Sequence, residues 1–458
     1  MYFFFILAAL LVIISAQPLL VFCSLALLYI IYRLFWTDGV PKVLFIGLIY
    51  FWLSITAKIF YADFTGLNYE NLSSSPLIIE TTYVALLCLG VFAVGLHLTS
   101  KNVLRKVYVS YTETFGYNVN KVIIFYVIMA IGSGLLAGIL FVYPAFSQLF
   151  NALILIKMGL LFLLIHTVYA QKKSMWVIVA IVGFEVILSF VSFFSSFKDI
   201  LITVAIVFSF YPIKISAKQY IGNIVLAFGI IYLLLIWQTI KGDYRSFLNK
   251  GTNTQTVQVT TQEALREIQD LAAKATPFDR NSNVIYSTID RLSNIEFFSQ
   301  AMSRVPKDIP YTEGKLWLNN ITHVLTPRIL NPDKEAIDDS KMVNQYCTQK
   351  VATAAQGASF SLGFLAESYI DFGPYLMYIP VFLIGCLFGF IYTLLISKSI
   401  NFVWGFSMVS PLWVYIGCNG IPGTKILGWI LMYLIAFYII KRFFMKPIDK
   451  FLRGVSTI

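Results

Sequence analysis

The sequence predicts an all-α polytopic membrane protein with about 12 transmembrane helices and one long helical extracytoplasmic loop. Of its 458 residues, 58% are hydrophobic and only 12% are charged, and apolar runs of about 20 residues recur along the chain. A helix of roughly 20 residues crosses a hydrocarbon core about 30 Å thick. Strands of an outer-membrane barrel would instead alternate polar and apolar side chains. The same composition excludes soluble enzyme folds and disordered chains.

Twelve apolar segments surround one long polar region, residues 239–373. Nine segments precede it, within residues 1–238, and three follow it, within residues 374–458 together with a basic tail. The first and the eighth segments are short for a full span, so each could be a half-span. In chain order the predicted spans are 2–16, 18–36, 42–60, 76–98, 121–143, 152–170, 174–196, 199–213, 218–238, 374–396, 400–418 and 424–440.

Basic residues in the short connections predict which way the helices run. Sixteen Lys and Arg residues of the connections and tail fall on one side of the predicted bundle, and three fall on the other. By the positive-inside rule the first side is cytoplasmic, as are both termini, and the long polar region lies outside the cytoplasm. Membrane topology therefore explains the net charge of +11, and no nucleic-acid partner is required. The three exceptions are Lys58, Lys198 and Lys425.

The long polar region contains three predicted helices. It is nearly neutral, with fourteen basic and fifteen acidic residues. Thr260 and Glu263 form a capping box at the start of an amphipathic helix, and residues 283–302 predict a second helix. The third, 359–372, is apolar and stopped by a Gly-Pro pair. Its twelve or so helical residues span only about 18 Å, so we interpret it as a re-entrant or interfacial helix.

The sequence lacks the motifs of several common enzyme classes. It contains no GxxxxGK[ST], no GxSxG and no HExxH, which are typical of ATP hydrolysis, α/β-hydrolase chemistry and zinc proteolysis. It also lacks the DxD pair with which nucleotide-sugar enzymes hold a metal, and its five cysteines form no CxxC pair. The expected chemistry is therefore independent of metals and of cofactors.

Basic residues on the predicted outer side are candidate substrate contacts. Lys241 and Arg245 follow the ninth span at i, i+4 spacing, so they share one face if that helix continues beyond the bilayer. One interpretation is that both side chains reach lipid headgroups, and the other is that they clamp a diphosphate. Lys198, at the start of the eighth segment, is a further candidate contact.

Two arginines belong to the second predicted helix of the polar region or lie next to it. Arg280 precedes this helix and Arg291 lies within it, and both are candidate substrate contacts. For Arg291 the alternative is a solvated ion pair with Asp290 or Glu296. Such a pair would contribute little to either binding or stability.

The stretch from Thr322 to Lys334 is the most informative part of the polar region. Arg328 stands between Pro327 and Pro332, and a stiff loop of this kind holds a guanidinium in place at small entropic cost. The planar fork of Arg suits a phosphate, because it donates two parallel hydrogen bonds. Arg328 is therefore a candidate catalytic residue and Lys334 a candidate substrate contact. His323 precedes them and is the one histidine on the predicted outer side.

Two carboxylates lie one helical turn apart on the predicted re-entrant helix. Glu367 and Asp371 are surrounded by apolar residues, and carboxylates in such surroundings near a bilayer usually line a polar cavity. We interpret both as candidate catalytic residues, which either contact sugar hydroxyls or act as a base whose pKa burial has raised. An ion pair with a cation of the polar region is the alternative. Tyr369, between them, is a candidate substrate contact.

Taken together, these features resemble the Wzy-type polysaccharide repeat-unit polymerases, which include the O-antigen and enterobacterial common antigen polymerases. The resemblance is architectural and is best from about residue 195 to the tenth span. Family membership would imply a GT-C-like membrane fold in the bacterial inner membrane. The implied reaction moves a growing glycan from undecaprenyl diphosphate to the non-reducing end of an incoming lipid-linked repeat unit. The residues that carry the resemblance are 195–200, Lys241 to Arg245, Arg291, Pro327 to Pro332 and 359–373.

The resemblance also implies the partners of the protein. They are an undecaprenyl-diphosphate-linked oligosaccharide and membrane lipids, with a chain-length regulator as a candidate protein partner. In the related O-antigen ligases an outer-face His acts with arginines, and only His323 could match that role here. The base of the reaction therefore stays open between His323 and the two carboxylates.

Two other classes of membrane protein fit the same hydropathy. One is a lipid-linked oligosaccharide flippase or another secondary transporter, and the other is a glycan transferase similar to the O-antigen ligases. A carrier usually has short loops and places its charged groups within the spans. Here the charges within spans are few, chiefly Lys58, Lys157 and Glu185, whereas the long polar region holds most polar groups. The sequence therefore favours a polymerase.

Overall fold

The structure is a computed structural model in which every regular element of the described residues is a helix. It describes residues 2–106, 116–142, 147–191, 197–211, 217–252, 257–276, 283–326, 331, 337–353, 359–417 and 419–453. In chain order the helices are α1 (Tyr2–Ile14), α2 (Pro18–Phe35), α3 (Val43–Thr65), α4 (Ile78–Lys106), α5 (Val119–Val142), α6 (Ser147–Ala170), α7 (Met175–Val191), α8 (Phe197–Phe208), α9 (Ala217–Leu248), α10 (Thr261–Lys274), α11 (Val284–Leu292), α12 (Ile295–Arg304), α13 (Lys315–Leu325), α14 (Asp339–Tyr346), α15 (Phe364–Leu376), α16 (Tyr378–Lys398), α17 (Phe402–Val409), α18 (Trp413–Gly417), α19 (Gly423–Ile439) and α20 (Met445–Leu452). The prediction of an all-α chain is confirmed.

Five of these helices are long and apolar enough to cross a membrane. They are α2, α3, α4, α16 and the continuous stretch from α19 to α20. Five shorter apolar stretches lie in α1, α5, α6, α7 and the pair α17 and α18. The predicted eighth segment is the 12-residue helix α8, and the predicted eleventh is broken into α17 and α18 by a 3-10 turn, Ser410–Leu412. The membrane prediction is supported, whereas the number of twelve spans stays a prediction.

Among the described helices, α4 and α16 have the most extensive contact. A Cβ atom on Gly385 would lie 2.3 Å from the carbonyl oxygen of Phe92, and one on Gly389 would lie 2.4 Å from that of Leu96. Glycines at these positions let the two backbones touch, which is the usual way in which helices pack inside a membrane. The Thr99 hydroxyl adds a hydrogen bond of 3.0 Å to the carbonyl oxygen of Cys386.

A polar network joins helix ends at one end of the bundle, which we call the tail end. The Tyr117 hydroxyl, just before α5, donates to Asp449 of α20 over 2.5 Å, and Asn401, just before α17, donates to Tyr117 over 3.1 Å. Arg453 donates to Asp449 over 2.8 Å. Gln171, just after α6, donates to the carbonyl oxygen of Tyr117 over 2.8 Å. The first residues of α5 and α17 and the last residues of α6 and α20 therefore meet at the tail end.

The polar region packs at the opposite end of the bundle, which we call the loop end. Lys58, in the last turns of α3, is only 1% exposed and forms ion pairs of 2.7 Å with Asp290 and 3.3 Å with Glu296. Glu296 also accepts a hydrogen bond of 2.9 Å from the backbone of Ser74, just before α4. These contacts fasten α11 and α12 to the membrane helices. Both acids considered as partners of Arg291 are thus bound to Lys58.

The segment predicted to be a re-entrant or interfacial helix forms α15, which begins five residues later than the sequence predicts. It starts after Gly363, whose φ is +81°, and its regular backbone breaks at Gly373, whose φ is +67°. The chain then turns into α16 at Tyr378. A Cβ on Gly363 would lie 2.2 Å from the carbonyl oxygen of Asn419, so the start of α15 touches the turn before α19. Both positions suit glycine, which alone adopts positive φ without strain.

Candidate functional site

The helix α15 lies at the loop end and carries two buried carboxylates. Its first amide, that of Phe364, donates to the carbonyl oxygen of Ile421 over 3.0 Å, which joins it to the turn before α19. On its other sides it packs against α12 and α13. Glu367 is 4% exposed and Asp371 is 2% exposed. Both carboxylates are therefore buried, and their partners decide what each can do.

Glu367 is held by groups from two other helices. Its Oε2 accepts hydrogen bonds of 2.9 Å from the amide of Asn320, on α13, and 2.8 Å from the backbone N–H of Gly423, the first residue of α19. Asn320 in turn accepts a hydrogen bond from the Thr424 hydroxyl. Both bonds to Glu367 fall on the same carboxylate oxygen. This side chain therefore joins α13, α15 and α19.

The environment of Glu367 disfavours its negative charge. Burial raises the pKa of this carboxyl to about 7, and repulsion from Asp339 and Asp371 acts in the same direction, whereas the hydrogen bonds from Gly423 and Asn320 oppose the shift. A carboxyl with this pKa exists in both protonation states near neutral pH. It can therefore accept or donate a proton there, which an exposed glutamate does poorly.

Asp371 has a different set of partners, all of them at the start of α13. Its carboxylate accepts hydrogen bonds from the backbone N–H groups of Leu316, over 3.0 Å, and Trp317, over 2.8 Å. It also accepts one from the Thr312 hydroxyl. The first amides of a helix have no partner within the helix, and a negative charge is favourable there. Asp371 therefore caps α13 from a distant part of the chain.

Tyr369 is buried between its helix and α12. Its hydroxyl donates to the carbonyl oxygen of Val305 over 3.0 Å, and its ring packs edge-on against Phe298 and Tyr311. The indole N–H of Trp317 donates over 3.1 Å to the hydroxyl of Ser368, the residue before Tyr369 on α15. Tyr369 therefore contributes to packing, and its hydroxyl group already has a hydrogen-bond partner.

An ion pair that the sequence did not single out completes the group. Asp339, in the first turn of α14, pairs with Lys425, in the first turn of α19. The Asp339 side chain is 5% exposed, whereas that of Lys425 is 49% exposed. We call the group the loop-end cluster, and it consists of Asn320, Asp339, Glu367, Asp371, Gly423, Thr424 and Lys425. In the described part of the chain, no three His, Cys, Asp or Glu residues are grouped so that they could hold a metal ion.

The described basic candidates lie on α8, α9 and α11. Lys241 donates to Gln238 one turn earlier in α9, and Arg245 is half-buried in the last turn of that helix. Arg291 is exposed at the end of α11, which packs against α9. Two further candidates, Lys198 and His323, are an exposed residue at the start of α8 and a half-buried one in the last turn of α13. Arg280, Arg328 and Lys334 lie outside the described residues.

Sequence reasoning missed Asn320, Asp339 and Lys425. Lys425 is one of the three basic residues on the less basic side of the bundle. This exception to the positive-inside rule was itself a signal. Asp339 directly follows Asp338 in the chain, and this adjacent pair carries no sign of a partner on α19. Asn320 carries no signal in the sequence, because its role depends on contact with a residue 47 positions away.

Gly423 is a position at which a small change should disturb the cluster. A Cβ there would lie 2.7 Å from the Asn320 amide nitrogen and 3.0 Å from Glu367 Oε2, and these two buried groups are bonded to each other. We expect Gly423→Ala to lower the free energy of unfolding by about 1–3 kcal/mol, as overpacked sites do. Gly183→Ala is the control, since no atom lies within 4 Å of a Cβ there. Thermal unfolding of the purified proteins measures both, and equal stability of the two variants would contradict this packing.

Comparison with known proteins gives a family but no activity. A family model described as a domain of unknown function, DUF8712, matches residues 40–415. No curated protein and no solved structure matches the chain. The matched region contains α13, α14 and α15 of the loop-end cluster and ends before Gly423. Because the match covers most of its length, the chain belongs to the DUF8712 family.

Proposed function

We propose that this protein polymerises undecaprenyl-diphosphate-linked oligosaccharide repeat units into a cell-surface polysaccharide by metal-independent glycosyl transfer. The observation that carries the proposal is Glu367, a buried carboxyl whose pKa burial raises to about 7 at the loop end of a membrane bundle. A base of this kind can act on a hydroxyl group at neutral pH. Its position within the long polar region, at the loop end of the bundle, suits a substrate that is lipid at one end and sugar at the other.

In the proposed reaction Glu367 acts as the general base. Its Oε1 accepts the proton of a hydroxyl at the non-reducing end of the acceptor glycan, while Oε2 stays bonded to Asn320 and Gly423. The hydroxyl oxygen forms a bond to the anomeric carbon of the donor glycan. The bond from that carbon to undecaprenyl diphosphate breaks, and its electron pair leaves with the diphosphate. Asp371 acts indirectly in this reaction. It caps the start of α13, and α13 carries Asn320.

The charge that grows on the diphosphate needs cations to stabilise it. Lys241, Arg245 and Arg291 are the described residues that we assign to this role, together with Lys425 at the cluster itself. The diphosphate of such a substrate would lie at the membrane surface. Cations at the loop end can therefore contact it there. We assign the transition-state contact to Arg328, which stands between Pro327 and Pro332 in the sequence and whose guanidinium could donate two parallel hydrogen bonds to a phosphate.

A conservative substitution tests the role of Arg328. Arg328→Lys keeps the charge but loses the two parallel hydrogen bonds of the guanidinium. A hydrogen bond to a charged group is worth roughly 1.5–3 kcal/mol, so we expect the polymerisation rate to fall about tenfold or more. The rate is measured with variants matched for membrane insertion, and Arg291→Lys is the comparison at another basic position. A wild-type rate for Arg328→Lys would remove this residue from the clamp.

We further propose the orientation and finer architecture of the chain. Both termini lie in the cytoplasm of a bacterial inner membrane, about 12 spans are arranged as in GT-C-like enzymes, and the loop end faces outward. The support is the sixteen basic residues assigned to the tail end against three at the loop end.

Cysteine labelling tests this orientation. In a variant without its five cysteines, Lys307→Cys places a thiol on an exposed residue at the loop end, and Lys172→Cys places one at the tail end. A membrane-impermeant maleimide should label Lys307→Cys in intact cells and Lys172→Cys only after the cells are broken. The reverse pattern would turn the loop end towards the cytoplasm and contradict the proposed site of reaction.

One observation favours a carrier as the second candidate function. Lys157 and Glu185 form an ion pair of 2.7 Å between two apolar helices, α6 and α7, and the Glu185 side chain is 3% exposed. Charged groups inside membrane helices usually mark a route for substrates or ions. A flippase for lipid-linked oligosaccharides would use such a pair, whereas a polymerase would not need it.

The two candidates predict different products in cells that lack the protein. Without a polymerase, lipid-linked single repeat units should accumulate on the outer face of the membrane, because their transfer across it continues. Without a flippase, the same units should accumulate on the cytoplasmic face. Accessibility of the sugar to an added lectin before and after cell rupture distinguishes the two faces. Accumulation on the cytoplasmic face would contradict the polymerase proposal and support the carrier.

A further inference from the structure

The helix α20 continues the α19 span beyond the membrane core at the tail end. The continuous stretch from Gly423 to Leu452 contains 30 residues, which at 1.5 Å per residue are about 45 Å long. A hydrocarbon core is about 30 Å thick, and a bilayer with its headgroups is about 40–45 Å thick. A span that begins at Gly423 therefore leaves the core near Arg442. By this measure α20 lies at the level of the lipid headgroups.

One face of α20 is fixed to the rest of the bundle. Met445, Ile448 and Leu452 recur at helical spacing and pack against the core, and Met445 and Leu452 are fully buried. The carbonyl oxygen of Leu452 accepts a hydrogen bond of 2.8 Å from the backbone N–H of Asn118, just before α5. Asp449 belongs to the polar network of the tail end. These contacts decide which side chains of α20 point away from the bundle.

The outer face of this region combines exposed cations with exposed aromatic rings. Lys446 and Lys450 lie one turn apart, and both are exposed. In the described part of the chain neither of them forms an ion pair. Phe444 and Phe451, seven positions apart, are 53% and 48% exposed. Cations beside apolar groups on the surface of one helix are typical of helices that lie in a membrane interface.

The charge of the region is positive. Residues 441–453 contain five basic residues and one acid, Asp449, so their net charge is +4. That acid is already bonded within the tail-end network. A further cation, Lys121 in the first turn of α5, lies over the ring of Phe451, with its Nζ 5.3 Å from the ring centroid. An anionic group that approaches α20 therefore meets cations from two helices.

We propose that residues 441–453 form a binding surface for the headgroups of anionic phospholipids. The lipid phosphates contact Lys446 and Lys450, and the rings of Phe444 and Phe451 enter the region of the upper acyl chains. A basic cluster next to a span attracts anionic lipids, and each cation at the membrane surface contributes a factor of about five to their binding.

The position of the helix favours a membrane over an acidic protein as the partner. An acidic protein would also pair with the lysines, but it would have to be recruited to them. At the level of the headgroups, directly after a span, lipid phosphates are already beside the lysines. The exposed phenylalanines add an apolar contact that a bilayer supplies. The proposal goes beyond the proposed polymerase activity and does not rest on it.

A photoreactive lipid locates the binding surface along the chain. The purified protein is placed in phosphatidylcholine vesicles that contain a trace of phosphatidylglycerol with a photoreactive group near its headgroup. After illumination, mass spectrometry identifies the peptides that carry the lipid. We expect attachment within residues 441–453, with competition by unlabelled phosphatidylglycerol and none by further phosphatidylcholine. In 1 M salt, which screens charges beyond about 3 Å, the attachment should fall.

Two pairs of exposed lysines supply the variant and its control. Lys446→Gln with Lys450→Gln should lower the attachment within 441–453 about tenfold or more, because two factors of about five are lost. Lys172→Gln with Lys173→Gln removes the same charge from the tail end outside α20 and should keep the wild-type attachment. Phe444→Ser should lower the attachment while both lysines of α20 stay in place.

Four results would each overturn the proposal. The first is wild-type attachment in Lys446→Gln with Lys450→Gln, and the second is equal attachment of a photoreactive phosphatidylcholine. The third is competition by soluble glycerol 3-phosphate, which would show a phosphate site and not a membrane surface. The fourth is an equal loss in the control pair, which would show that the total charge of the tail end attracts the lipid and not this surface.

Discussion

Replacing Glu367 by Gln should lower the rate of polymerisation by about a hundredfold to ten-thousandfold, which is the usual contribution of a general base. The amide of Gln has almost the same shape, and its carbonyl oxygen can still accept the bonds from Asn320 and Gly423. The helix bundle should therefore stay folded while the base is lost. Glu70→Gln is the matched control, because Glu70 is exposed and outside the loop-end cluster.

The pH dependence of the rate gives a second and independent readout of Glu367. A general base acts only when it is unprotonated, and burial raises the pKa of this carboxyl to about 7. The wild-type rate should therefore rise as the pH increases through about 7 and then level off, whereas it should fall towards acid pH. The residual rate of Glu367→Gln should lack this rise. A wild-type rate in Glu367→Gln, or a wild-type rate that increases towards acid pH, would contradict the role of base.

Breaking the ion pair between Lys157 on α6 and Glu185 on α7 should have the largest effect on stability. Lys157→Met leaves Glu185 as a buried charge without its partner, and removing one member of a buried pair costs about 3–5 kcal/mol. Glu185→Gln should destabilise the bundle to a similar degree. The double variant should recover most of the loss, because replacing both charges by uncharged groups of similar size is often neutral.

Chemical unfolding of the four proteins in matched detergent measures this coupling. The two single losses and the double loss form a cycle from which the interaction of the pair follows. A double variant whose loss equals the sum of the single losses would mean that the two charges do not depend on each other. The 2.7 Å contact between Lys157 and Glu185 would then contribute nothing measurable to the free energy of unfolding.

The fold class could be predicted because hydropathy in a membrane protein is a direct physical signal. The capping box at Thr260 and Glu263 is present as predicted, since it depends only on residues three positions apart. The helix predicted over 283–302 is instead two helices, α11 and α12. The break occurs at Asn294, whose backbone N–H donates to the carbonyl oxygen of Ser54 over 3.2 Å. A contact with α3 overrides the local pattern there, and no local pattern could reveal it.

The candidate site divides in the same way. Two carboxylates in an apolar helix could be found from the sequence, because a charge in such surroundings is conspicuous. Their different partners could not be found. Asp371 meets the first amides of α13, and Glu367 meets Asn320 and the amide of Gly423, which is 56 residues away along the chain. From the sequence both residues are therefore candidates for the same catalytic role. In the structure Asp371 caps a helix, whereas Glu367 is a titratable carboxyl.

We propose that this chain alone makes new glycosidic bonds from lipid-linked repeat units. The most direct test is to incubate the purified protein in vesicles with undecaprenyl-diphosphate-linked repeat units, EDTA and no nucleotide, and to separate the products by size. We expect a ladder of glycans that grows by whole repeat units, with free undecaprenyl diphosphate released at each step. The ladder should be absent with Glu367→Gln. Repeat units that cross the vesicle membrane while every glycan keeps its original length would contradict it.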